Sequence, residues 1–169
     1  MRSTTLLSVL LILPGIALAG PGLFTTGPVI EDYGPVADVQ SALPVPADAV
    51  LRHTFDVAKR AEDGTLNRTL VSAARFINMH ARAGVHADRI KVAVVVHGTA
   101  VRDVAGEAPA SAGLVAALVD QGVQILVCGQ SAAYYDVKSD DLLPGVEMAL
   151  SAMTAHALLQ QQGYTLNPF

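Results

Sequence analysis

The chain has no tryptophan, a single cysteine and few aromatic residues of any kind (5%). Each shortage excludes something. One cysteine, Cys128, cannot close a disulfide within the chain. Charged residues make up only 15%, the net charge is −4, and no basic stripe exists. That balance disfavours nucleic-acid binding, which needs clustered Lys and Arg to neutralise phosphates. The chain carries no G-x-G-x-x-G or P-loop for phosphates and no G-x-S-x-G elbow for a serine nucleophile. Its histidines, His53, His80, His86, His97 and His156, have neither zinc-finger nor H-E-x-x-H spacing. No dedicated metal site and no cofactor are expected from these patterns.

What is present begins with an address. Arg2 gives a positive start, residues 6–13 are apolar except Ser8, and Ala17-Leu18-Ala19 offers small residues to a peptidase. Charged start, apolar centre and small-residue site in that order predict a signal peptide over residues 1–19. The apolar run is shorter than the roughly 20 residues a membrane span needs. A periplasmic or secreted location, with no membrane anchor after cleavage, is the expectation. A lone thiol in an oxidising compartment must be buried or used.

Residues 20–47 are rich in proline and glycine and show neither helical nor strand period. Proline removes backbone donors, so this segment cannot sit inside a sheet. Its apolar residues, among them Phe24, Val29, Ile30, Tyr33 and Val36, favour an extended arm on the surface of the domain formed by residues 48–169.

In that domain, residues 50–57 alternate Leu51, His53, Phe55 and Val57 with Arg52, Thr54 and Asp56, the period of a strand. His53 reads as a packed or edge histidine, and residues 59–64 as a charged turn. Residues 66–83 repeat apolar positions at helical spacing, with Thr65 or Asn67 as cap and Gly84 as stop. His80, near its end, takes no catalytic role. Residues 90–96 have no polar face, as in a parallel strand covered on both sides. Residues 101–110 read as a long loop able to serve as a lid or binding edge, and residues 111–120 as a helix capped by Ser111. Residues 123–128 form the next strand, 130–135 a short mixed segment, 146–149 a brief strand, 151–162 a helix capped by Ser151, and 164–166 an edge strand. The alternation predicts a single α/β domain: a mostly parallel sheet of about five strands with helices on both faces, flavodoxin-like or Rossmann-like in three layers.

Ligands of open α/β sheets bind at the carboxyl ends of the strands. His97 follows one strand there and Cys128 ends the next. An imidazole and the peptide N–H groups after a cysteine both favour its thiolate. Cys128 and His97 are therefore the candidate catalytic pair, with Gly98, Gly129 and Gln130 as candidate ligand-binding positions. The bland alternatives are a buried, packed Cys128 and a His97 that only satisfies loop backbone.

The run from Asp120-Gln121-Gly122 through Val127-Cys128-Gly129-Gln130-Ser131, followed by Leu142-Leu143-Pro144-Gly145-Val146, resembles the DsrE/DsrF-like family. Val95-Val96-His97-Gly98, the later Gln162-Gly163-Tyr164 and Asn78 in the first helix fit the same pattern. The proline-rich leader resembles that of secreted members. The resemblance implies a flavodoxin-like or Rossmann-like sheet, homo-oligomers, and a cysteine that carries sulfur as a persulfide; the matching position is Cys128. Two departures stand out. Ser151-Ala152-Met153 replaces a Ser-Gly-Val-like stretch, and the predicted export separates the chain from cytoplasmic sulfur-relay partners. Sulfur handling, with a donor or acceptor protein or a small sulfur compound as partner, is thus the expected function. The rival is a non-catalytic ligand-binding or assembly module with a structural Cys128. A metal- or redox-linked role for His97 and Cys128 has the least support, because two ligands seldom make a site.

Overall fold

The computed structural model describes residues 20–167, so the predicted signal peptide lies outside the described residues. Five strands, β1 (Leu51–Val57), β2 (Ile90–Val96), β3 (Gln124–Cys128), β4 (Val146–Ala149) and β5 (Thr165–Leu166), form one sheet in the order β4-β3-β2-β1-β5. Every pairing is parallel. Four helices connect them: α1 (Arg68–Arg82), α2 (Ala112–Asp120), α3 (Gly129–Tyr134) and α4 (Ala152–Gln161). The chain steps outward from β1 to β4, then returns across the sheet to β5 beside β1.

Right-handed crossovers fix which face each helix covers. The outward steps put α1, α2 and α3 on one face, where Leu70, Ile77, Leu114, Leu118 and Ala132 pack on Val92, Val94, Val96, Ile125 and Val127. The return reverses direction and puts α4 on the other face, where Ala155 and Leu159 pack on Ala93 and Val95. β2, at the centre, has apolar side chains on both faces as its composition required.

Asn67 caps α1, its Oδ1 accepting from the Thr69 N–H at 3.0 Å. Gly84 follows the helix with φ of 95°, a conformation suited to glycine. Ser151 caps α4 by accepting from Thr154 N–H at 3.0 Å. Ser111 does not cap α2; its hydroxyl accepts instead from Asn67 N–H at 3.1 Å. The competing donor lies on a distant loop, so a cap pattern in sequence could not register it.

Two further differences have physical reasons. The polar alternation in β1 does not mark a solvent face, since Thr54 is fully buried. β1 lies inside the sheet, and both its faces are partly covered. Residues 101–110 are not a free loop at their start. A 3-10 helix (Gly98–Asp103) buries Ala100, Val101 and Asp103. Asp103 accepts from Asn67 Nδ2 at 2.7 Å and Ala61 N–H at 2.9 Å, which ties this turn to the β1–α1 connection. The segment 130–135 is helical as α3.

The arm lies against α1. Asn78 Oδ1 accepts from Val29 and Ile30 N–H, and its Nδ2 donates to the carbonyls of Ile30, Tyr33 and Gly34. One turn on, Arg82 donates to the carbonyls of Thr25, Thr26, Gly27 and Val36. The arm pairs with itself at Thr25 and Val36, which exchange N–H···O bonds, and Asn78 and Arg82 serve much of the backbone between them. Ile30 and Val36 are buried.

Candidate functional site

Strand register brings the site together. Val96 pairs with Val127, so His97 and Cys128 follow on the next rung at the carboxyl ends of β2 and β3. Asp56 pairs with Val95, two rungs before His97. The two-residue period places Asp56, His97 and Cys128 on the face that α4 covers. α4 adds His156. Asp56, His97, Cys128 and His156 line one open cavity of about 290 Å³, together with Gln130, Ser151, Ala152 and Met153.

Cys128 is the residue before α3 and is 5% exposed. Burial alone would raise its thiol pKa. Opposing groups outweigh that effect and hold it below the ordinary value: the Ser131 hydroxyl first, then the backbone N–H groups of Ser131, Ala152 and Gln130. Hydrogen bonds to the charged form favour that form. The Ala152 N–H belongs to the first residue of α4, so the start of a second helix also faces the sulfur. Ser131 is set for its task. Its Oγ accepts from Gly98 N–H at 2.9 Å, which leaves the hydroxyl proton for the sulfur.

The glycines act through backbone rather than by lining the cavity. A Cβ on Gly129 would come within 2.8 Å of the Ala149 carbonyl oxygen and 3.3 Å of that of Leu150. Only glycine lets the start of α3 approach the β4–α4 connection this closely, and that approach carries Ala152 to Cys128. Gly98 has φ of 55°, and a Cβ there would meet the Ala58 carbonyl oxygen at 2.7 Å. Gln130 does line the cavity, and its amide donates to the Leu150 carbonyl at 3.3 Å.

His97 finds its partner in Asp56. Its Nε2–H donates to Asp56 Oδ2 at 3.0 Å, and His156 Nε2–H donates to Oδ1 of the same carboxylate at 2.7 Å. Burial would raise the Asp56 pKa, but the bonds from His97 and His156 hold it below the usual carboxylate value. An ionised carboxylate therefore joins two imidazoles at the rim of the thiol pocket. His156 Nδ1 and Thr54 Oγ1 are buried without a protein partner. Among the described residues, no three His, Cys, Asp or Glu side chains are grouped to hold a metal ion; both Nε2 atoms are engaged by Asp56.

The structure brings the sequence candidates Cys128 and His97 to one cavity and sets beside them Asp56, His156 and Ser131, which were not among the candidates. Asp56 stood on what looked like a polar strand face, and His156 on an ordinary helix. The available signal was positional: Asp56 is the second-to-last residue of its strand, close to the same carboxyl edge of the sheet as His97 and Cys128.

The description of the DsrE/DsrF-like family matches residues 53–168, all four helices and the sheet except the first two residues of β1. The chain belongs to the DsrE/DsrF-like family. The DsrE-like fold also appears in solved structures. A protein of unknown function from Methanobacterium thermoautotrophicum, MTH1491, superposes with a TM-score of 0.57 at 22% identity, over 69% of this chain and 97% of that one. The ychN protein from E. coli does so with a TM-score of 0.50 at 16% identity, over 69% of this chain and 100% of that one. At such identities the likeness speaks to fold alone. No curated protein matches. In this DsrE-like chain, strand ends and the start of α4 make a chamber with one nucleophile, one carboxylate and two imidazoles. Such a set can attack a sulfur or carbonyl centre and move a proton at the same place.

Proposed function

We propose that the protein handles sulfur, with Cys128 accepting sulfane sulfur, holding it as a persulfide and passing it on. The observation that carries this reading is the surroundings of the thiol: a hydroxyl and three N–H groups favour the thiolate in an open cavity at the strand ends. Thiolate is the form that attacks a sulfur–sulfur bond. Family membership supports the same reading. The leader pattern of residues 1–19 supports a site of action in the periplasm or outside the cell. Leu150 and Met153, 72% and 81% exposed beside the cavity, suit a protein partner or a second copy at its rim.

The test is intact mass. The mature protein is incubated with a small-molecule persulfide donor, freed of excess reagent and weighed. One added sulfur atom on the wild type, absent from Cys128→Ser, is the expected result. No adduct on the wild type, or an equal adduct on the variant, contradicts the reading.

The low exposure of Cys128 favours one rival, a binding or assembly module in which the cysteine is packing. That reading requires a thiol that resists alkylation as long as the protein stays folded.

A further inference from the structure

The groups that serve the sulfur of Cys128 are separate from the other titratable groups that line its cavity. The thiolate is favoured by Ser131 and by backbone N–H groups. Asp56, His97 and His156 contact one another instead and face the same cavity. They are not needed to form the nucleophile, which leaves the question of what they do.

Exchange at a sulfur–sulfur bond releases a thiolate. The cavity lining contains no Lys or Arg, and Asp56 adds a fixed negative charge. A departing alkyl thiolate would stand there beside a carboxylate with no permanent cation, Lys or Arg, to offset it. It leaves readily only if it is protonated as it goes.

We infer that Asp56, His97 and His156 form a proton-delivering unit for the thiol released when Cys128 takes sulfur from its donor. His97 is the proton donor, being the more exposed imidazole, 31% against 14% for His156. Its Nε2–H is fixed on Asp56, so Nδ1 is the nitrogen that carries the mobile proton. Asp56 is a positioning residue that fixes the His97 ring through Nε2. His156 holds the other carboxylate oxygen and keeps Asp56 ionised and oriented.

This inference rests on the sulfur-handling reading, and its chemistry balances without a further reagent. The Cys128 thiolate attacks the outer sulfur of a donor R–S–S–H. A bond from Cys128 to that sulfur forms as the donor's own S–S bond breaks. The bonding pair leaves on R–S⁻, which takes the His97 Nδ1 proton and departs as R–SH. Nothing is oxidised or reduced overall. The reverse sequence returns the proton when sulfur is passed on.

A leaving-group comparison tests it. The full mature chain and the variants His97→Gln and Asp56→Asn are reacted with two disulfides. In 2-hydroxyethyl disulfide the leaving thiolate is strongly basic and needs a proton. In bis(4-nitrophenyl) disulfide it is weakly basic and does not. Rates are divided by the thiolate fraction, obtained for each variant from the pH dependence of alkylation. The expected result is a loss of about 10²-fold with the alkyl disulfide, the usual scale of general acid catalysis, and near-wild-type rates with the aromatic one. Equal losses with both disulfides indicate displaced packing and overturn the inference, as does no loss with either. A wild-type Cys128 that reacts with neither disulfide overturns the sulfur reading and this inference together. Selective loss in a protein that takes no persulfide sulfur would retain the proton unit and reject sulfur handling.

Discussion

At the scale of single residues, the site divides its work between a serine and a carboxylate. Ser131 turns its hydroxyl on the Cys128 sulfur, and it is held there by the Gly98 N–H. Removing a donor to the charged form raises a pKa. Ser131→Ala should therefore move the Cys128 titration upward and slow alkylation at pH 7 a few-fold, read from rates across a pH series. Asp56 gives a second prediction. Burial raises its pKa, but the His97 and His156 bonds prevail and lower it. A carboxylate with a lowered folded value stabilises fully above its unfolded value of about 3.9. That contribution is lost as pH falls through the folded value. Asp56→Asn should thus be less stable than wild type near neutrality, with the gap in melting temperature closing below about pH 4.

At the scale of elements, α1 does more than cover the sheet. Asn78 is fully buried and makes five bonds to the backbone of the arm. Asn78→Ala leaves buried N–H and C=O groups unpaired and should cost roughly 2–4 kcal/mol in chemical denaturation. It should also speed proteolysis within residues 20–47, whereas an exposed change such as Arg68→Ala should do neither. How far such elements were legible in sequence depended on distance along the chain. β2 showed itself because every side chain on it is apolar or nearly so, and α1 because its apolar stripe, cap and terminal glycine are contiguous. The partners of Asn78 and Ser111 lie tens of residues away, so sequence revealed these polar groups without revealing what they hold. The same limit hid half of the site. Cys128 and His97 mark the ends of plainly apolar strands. Asp56 joins them only through the β1–β2 register, and His156 only because α4 returns over the second face.

At the scale of the whole molecule, topology explains why the chamber forms where it does. Three outward crossovers fill one face with α1, α2 and α3, and the return from β4 to β5 brings the start of α4 over the strand ends. Cys128 therefore lies between the beginnings of two helices while its other side opens to the cavity. Among the described residues, no helix is long and apolar enough to cross a membrane. The hydrogen bonds around buried Cys128 favour its thiolate in the folded chain. The most direct measurement is the rate of iodoacetamide alkylation of Cys128 against pH, in the folded protein and in denaturant. Unfolded, the thiol should titrate near the ordinary value of about 8.5. The folded midpoint is expected below that, with modification proceeding in the native state. A native thiol that reacts only after unfolding, or titrates at or above the unfolded value, would contradict it.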